Sequence, residues 1–305
     1  MFLKRHLISI LVLFVSISSH AKTTSAVVNM SERMFGNREI PIEISVPDDR
    51  SGPFPLIVYQ HGSSRDGFEF HGGQGNTDEH GTRLKKAALA RGFAVVLLDS
   101  FYEKGLVATD KRKFPKSETY AKQLRSYVLS NVKNIDTKNT FYTGFSYGGD
   151  AVLNQLYAPY DPPWTAMVAA EPSCNAVARP SPTPYPVLII KGTESHYYPI
   201  ACELITQRYR ESGNRVDLKI IEGANHYFSL NGQLVNGGIA FNGCAKNPIL
   251  IGRNMNETYF YDGKPATRED IDRCFTSVAG KGQGREKLDE AIEMTLDFFE
   301  KHLQR

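Results

Sequence analysis

No stretch of this chain is apolar for long enough to cross a bilayer. The one candidate, Leu7 to Ile17, falls well short of the roughly 20 residues a spanning helix needs, and no second candidate follows it. An excess of charge of one sign is missing too. The chain holds 36 basic and 33 acidic residues. Lys4 and Arg5 are the only ones of either kind in residues 1–21, so the remainder stands at 34 basic against 33 acidic. No basic run is long enough for a nucleic-acid surface, and Lys111-Arg112-Lys113 reads as a solvated loop. Cysteine is sparse. The four present, Cys174, Cys202, Cys244 and Cys274, have spacings that match no zinc pattern. The sequence therefore describes neither a spanning protein, nor a nucleic-acid binder, nor a zinc centre.

What is present begins at the N-terminus. Lys4-Arg5-His6 is a basic segment, Leu7 to Ile17 an apolar one, and Ser19-His20-Ala21 a small-x-small cleavage site. Together they read as a secretory signal peptide over residues 1–21. The expectation is export, periplasmic or secreted, with no stable membrane anchor. All four cysteines lie after that segment. An even count in an oxidising compartment implies two disulfides, and four cysteines allow three pairings.

Along the chain, short apolar runs alternate with helical spacing. Glu39-Ile-Pro-Ile-Glu-Ile-Ser-Val46 alternates as a strand with one solvated face. Leu56 to Tyr59, Phe93 to Leu98, Asn139 to Thr143, Trp164 to Ala170, Val187 to Ile190 and Val216 to Ile221 read as further strands. Helices are expected over Thr82 to Arg91, Ser117 to Lys133, Tyr147 to Tyr157, Pro199 to Glu211 and Glu286 to His302. Residues 64–80, rich in Gly and His, read as a long loop at the mouth of a site. Residues 229–283 break the alternation and read as an irregular insertion. Strands alternating with helices imply a mostly parallel sheet with helices on both faces, in one domain over residues 22–305. The pairing Cys174–Cys202 and Cys244–Cys274 is favoured, because each pair then falls in one region of that fold.

The chain is organised around Thr140-Phe-Tyr-Thr-Gly-Phe-Ser-Tyr-Gly-Gly149, a short strand, a sharp turn and a helix start with Ser146 at the apex. Gly144-x-Ser146-x-Gly148 is the nucleophile-elbow pattern of the α/β-hydrolases. So tight a turn leaves no room for side chains two residues either side of the serine. Chance alone gives the pattern about 0.1 times in a chain this long, so the surrounding motifs decide its meaning. A serine needs a base to take its proton, and a histidine base needs a carboxylate to orient it. His226, in Glu222-Gly-Ala-Asn-His-Tyr-Phe228, follows the last strand. His61, Ser146, Glu194 and His226 all lie just after expected strands, at the carboxyl edge where such sheets place their sites.

With these pieces the chain resembles the dienelactone hydrolase family over most of residues 55–228. The matching motifs are His61-Gly62, Asp99-Ser-Phe101, the elbow, Pro172-Ser-Cys174, Gly192 through Pro199 with Cys202, and Gly223-Ala-Asn-His226. The resemblance implies an α/β-hydrolase fold and cleavage of small esters or lactones through an acyl-enzyme, with no metal or organic cofactor. It implies an oxyanion hole built from the backbone N–H groups of Ser63 and Tyr147. The best-known members carry a cysteine nucleophile, and the serine here is similar to the broader esterase branch. The family's acid would fall at Ser195. Glu194, beside it, is the first choice for the orienting acid, and Glu171 the second. His61 is read as a support for its loop, and Asp99 as a brace at its strand end. His196, Tyr197 and Tyr198 either line the pocket or pack. The expected partner is a small ester or lactone, and the expected state a monomer. Two alternatives stay open: a peptidase or polysaccharide deacetylase on the same triad, with the insertion as a wall, and a hydrolase-fold binding protein without turnover.

Overall fold

An apolar run without alternation needs cover on both faces of its strand. The structure, a computed structural model, describes residues 21–33, 35–63, 77–106, 110, 113–157, 164–228, 238–252, 257–278 and 285–305. Residues 1–20 of the expected signal peptide, Lys111-Arg112, most of the 64–80 stretch and parts of the 229–283 insertion lie outside the described residues. Strands β1 (Ala21–Glu32) and β2 (Gly36–Pro47) form an antiparallel hairpin. They are followed by β3 (Phe54–Gln60), β4 (Ala94–Leu98), β5 (Ile135–Phe145), β6 (Ala166–Ala170), β7 (Ala176–Ala178), β8 (Val187–Gly192) and β9 (Val216–Ile221). All but β7 join one sheet in the order β1-β2-β4-β3-β5-β6-β8-β9. From β4 to β9 the neighbours are parallel, and β2 pairs antiparallel with β4. This is the mostly parallel sheet that the sequence implies.

Among the described residues there are six helices: α1 (Glu79–Ala90), α2 (Ser117–Asn131), α3 (Tyr147–Asn154), α4 (Pro199–Glu211) and α6 (Arg285–Lys301), which cover the sheet, and α5 (Arg268–Arg273), which belongs to the insertion. Alternate strand residues feed opposite faces. Leu56 and Val58 pack in one core with Leu124 of α2, Val152 of α3 and Ile205 of α4. Ile57 and Tyr59 pack in the other with Leu84 of α1 and Leu296 of α6. Burying each such side chain stabilises the fold by about 1.5–3 kcal/mol. β1 is a strand the sequence does not announce. Of its twelve residues, only Val28, Met30 and Glu32 are buried, so most of it lacks the apolar period that marks a half-buried strand. Among the described residues, no helix is long and apolar enough to cross a membrane.

The insertion is less irregular than its sequence. β10 (Gly238–Ala240) pairs with β13 (Thr276–Val278). β11 (Ile249–Ile251) pairs with β12 (Thr258–Phe260) and, in parallel, with β7. The Cys244–Cys274 disulfide staples the insertion, and Cys174–Cys202 ties the segment after β6 to α4. This is the favoured pairing.

The elbow joins β5 to α3, and its glycines are dictated by packing. A Cβ on Gly144 would lie 2.5 Å from the Gly148 carbonyl carbon, as the sequence argument requires. A Cβ on Gly148 would lie 2.1 Å from the carbonyl oxygen of Gln60 on β3. That second clash is with a neighbouring strand and has no flexible side chain to absorb it. Gly148→Ala should therefore cost about 3 kcal/mol, read as a lowered midpoint in urea unfolding followed by circular dichroism.

Candidate active site

Ser146 sits between β5 and α3 with φ 53° and ψ −112°, a conformation L residues rarely adopt. Two hydrogen bonds hold it there. Its N–H donates to the Ala170 carbonyl at 2.9 Å, and its carbonyl accepts from the Asp150 N–H at 2.9 Å. Tyr147 opens the helix, so its N–H has no partner within the helix.

His226 lies in the turn after β9 and is 4% exposed. Its Nε2 is 3.0 Å from Ser146 Oγ and its Nδ1 2.9 Å from Glu171 Oε2. With Nδ1 protonated toward the carboxylate, Nε2 is left as the acceptor for the serine hydroxyl. Glu171 follows β6 directly, with φ 50°. Its side chain is wholly buried, and four donors converge on it. The Gly192 N–H reaches Oε1 at 2.5 Å. The Lys191 ammonium at 2.7 Å, the Ser195 hydroxyl at 2.8 Å and His226 share Oε2. Burial pushes the Glu171 carboxyl above its ordinary value, while Lys191, Gly192 and Ser195 pull it back.

Glu194, the first choice for the acid, is not beside His226, and the second choice, Glu171, is. The reason lies in the turn after β8. Ser195 points inward onto Glu171, at the position where the resembling family carries its aspartate, and the neighbouring Glu194 is left partly exposed. Glu194 contributes its backbone: its N–H donates to Ala224 at 2.9 Å, two residues before His226. The sequence reading does not single out Lys191. The signal available was a lysine closing an otherwise apolar strand, since a fully buried ammonium demands a partner.

Ser63 lies at the end of a braced segment. His61 donates from Nδ1 to the Gly62 carbonyl at 2.7 Å and accepts at Nε2 from the Ser100 N–H at 3.0 Å. That pattern fixes a neutral imidazole, so the 3.4 Å approach of Nε2 to Asp99 is not an ion pair. Asp99 instead accepts from the Phe101 N–H at 2.9 Å. Asp78, the N-cap of α1, takes the Gly62 N–H at 2.6 Å on one oxygen. Its other oxygen takes Tyr59 OH at 2.7 Å and the Gly81 N–H at 2.9 Å. One buried carboxylate thus joins β3, the Gly62 turn and a helix start.

His196, Tyr197 and Tyr227 pack their rings 4.6, 4.9 and 5.1 Å from the His226 ring. Tyr198 is exposed at 42%. The insertion reaches this loop through Asn242, whose amide accepts from the Tyr198 N–H at 3.1 Å and donates to the His196 carbonyl at 2.6 Å. Beside Tyr147 a cavity of about 430 Å³ opens between α2, α3 and the insertion residues Ile251 and Gly252.

Solved structures share this arrangement of strands and helices. A Klebsiella pneumoniae protein assigned as a dienelactone hydrolase superposes with TM-score 0.51 at 16% identity, covering 68% of this chain and 88% of its own. A dienelactone hydrolase-like promiscuous phosphotriesterase from metagenomic libraries gives 0.51 at 15% identity, covering 68% and 84%. The chain has the α/β-hydrolase fold. A Bacteroides ovatus protein assigned as a dipeptidyl aminopeptidase IV shares that hydrolase fold with TM-score 0.51 at 12% identity, but the match spans only 33% of its length against 68% of this chain. No protein-family model and no curated protein matches the sequence.

The bracing of the hydrolase elbow's neighbour can be measured. Asp78→Ala removes a helix cap and strands the buried Tyr59 hydroxyl and Gly62 N–H, which should lower the unfolding free energy by about 3 kcal/mol in urea titration.

Proposed function

We propose that this chain is an exported serine hydrolase that cleaves small esters or lactones through an acyl-enzyme. The observation that carries the reading is the line Ser146 Oγ, His226, Glu171, linked at 3.0 and 2.9 Å across two buried side chains. In the reaction, Ser146 Oγ attacks the carbonyl carbon and its proton passes to His226 Nε2. The Glu171 carboxylate holds the ring and faces the imidazolium that forms. The N–H groups of Tyr147 and Ser63 receive the oxyanion, each worth on the order of 3 kcal/mol in activation free energy. His226 returns the proton to the leaving alcohol. It then takes one from water, which releases the acid and restores Ser146. Two disulfides and the leader-like residues 1–21 support export.

The dienelactone hydrolase name carried by a structural neighbour supports a small ester or lactone as substrate. The alternative without turnover rests on the missing aspartate at Ser195, and Glu171 beside His226 removes that ground.

Two experiments test the reading. Fluorophosphonate labelling of the oxidised protein, followed by peptide mass mapping, should give one adduct, on Ser146, and none in Ser146→Ala. Folded wild-type protein that takes no label would sink the proposal. Glu171→Gln should lower kcat on p-nitrophenyl acetate by about 10⁴-fold, the effect of holding the histidine in the wrong tautomer. Glu194→Gln should stay within twofold of wild type. The reverse order of effects would return the acid role to Glu194.

A further inference from the structure

Lys191 is the one feature of this site that a serine, histidine and acid do not call for. It closes β8, and its side chain has no solvent exposure. Its ammonium has three N–H donors and three acceptors: Glu171 Oε2 at 2.7 Å, Ser195 Oγ at 3.2 Å and the Pro172 carbonyl at 3.2 Å. The Tyr197 ring lies 5.4 Å from Nζ. Every hydrogen is matched, which is what a buried ammonium requires to remain charged. Glu171 Oε2 in turn takes Lys191, Ser195 and His226, and Oε1 takes Gly192, so a carboxyl proton would displace one of these donors.

We infer that Lys191 is a positioning residue of the site, which locks Glu171 in place and cancels its charge, so that the His226 imidazolium forms against a neutral pair instead of a bare carboxylate. The inference rests on the serine-hydrolase reading. Its physics is a competition on one oxygen. In an ordinary triad, protonated histidine and ionised acid form a neutral pair. Here the same step leaves one net positive charge, because the acid is already paired. Lys191 Nζ and His226 Nδ1 both touch Oε2, so they lie no more than about 6 Å apart. At that separation, with an effective dielectric near 20, their repulsion corresponds to a shift of about two pH units. Lys191 therefore acts to keep His226 a neutral base as the medium turns acidic.

Among the described residues, other titratable groups also face His226. His196 and Tyr197 face it from the loop after β8, and Tyr227 from its own loop. Asp150 of α3 acts on Tyr197, whose phenol burial holds well above its ordinary value and therefore neutral. Asp150 is itself engaged by the Ser173 N–H and hydroxyl at 2.9 and 3.1 Å. None of these shares the oxygen that His226 uses.

The variant is Lys191→Met, which keeps the length of the side chain and removes the charge. The readout is the rate of Ser146 labelling by a fluorophosphonate between pH 4 and 9. The acid-side midpoint should rise by one unit or more in the variant, because a buried Glu171 without its lysine draws a proton onto the His226–Glu171 pair. The limiting rate above pH 8 should stay within about tenfold of wild type. A purely structural lysine would lower the rate at all pH values and leave the midpoint in place, and that result would overturn the inference. Should the variant not fold, the wild-type protein still decides. Its His226 ring resonance, assigned by comparison with a His226→Gln spectrum, should titrate below the ordinary histidine value of roughly 6.5; a midpoint above 7 would overturn the inference. Absence of labelling in folded wild-type protein at every pH would instead remove the serine-hydrolase reading, and the resonance would test the lysine on its own.

Discussion

A carboxylate shut away from water has to be matched donor by donor, and Glu171 imposes that condition on this end of the sheet. Its two oxygens take a backbone N–H and a lysine from β8, a hydroxyl from the turn that follows, and an imidazole from the turn after β9. Three separate stretches are therefore registered against one side chain just after β6. The turn after β8 is fixed in its turn by backbone bonds to the turn carrying His226. Ser146 hangs from the same strand end, through its N–H on the Ala170 carbonyl. Ser146 and Glu171 thus share one reference, the peptide that joins β6 to Glu171. Both sit at positive φ without being glycine, a conformation that costs on the order of 1–3 kcal/mol each. The buried hydrogen bonds are what hold them there.

The other half of the site depends on a second buried carboxylate. Asp78 does for the Gly62 turn what Glu171 does for His226, binding a strand tyrosine, a helix start and the turn itself. The backbone of Gln60, just before that turn, is also what excludes a side chain at Gly148. The end of β3 and the first turn of α3 thus approach backbone to backbone at this point. The proposed oxyanion hole needs two N–H groups at fixed separation, and this contact sets the strand before one of them against the helix that carries the other.

How much of this could be read from the chain depended on how local each signal is. Val187 to Ile190, Pro199 to Glu211 and Val216 to Ile221 carry their periodicity in a few residues and form as expected. Ser146 and His226 are marked by glycines and strand ends nearby, and the fold brings them together. The pairing of the disulfides followed from which regions the fold keeps apart. Which carboxylate meets His226 was not legible in this way, because Glu171 and Glu194 both follow strands and only the turn geometry separates them. Ser195 takes the inward position and Glu194 the outer one. Lys191 was hidden for a related reason. A lysine at a strand end is normally a solvated one, and its burial shows only once Glu171 is placed. β1 was missed because a strand held mainly by backbone pairing leaves little trace in side-chain pattern.

In the proposed triad the acid stands at the end of β6, not in the turn after β8, and that position has a chemical consequence beyond reach. A triad asks only that a carboxylate meet Nδ1, so any strand end within range can supply it, and glutamate has the extra methylene to do so from one strand further in. That inner position is drier. At the end of β6 Glu171 is covered by β8 and its turn on one side and by the His226 turn on the other, and burial raises its carboxyl. An acid left alone there would tend to hold its proton and stop orienting the histidine. Ser195 and the Gly192 N–H offset part of that cost, but both are neutral. Lys191 supplies the charge that keeps the inner position ionised. Glu171, Ser195 and Lys191 therefore act as one unit: the carboxylate stands at the inner position, the hydroxyl donates to it from the turn after β8, and the ammonium beside it supplies the charge.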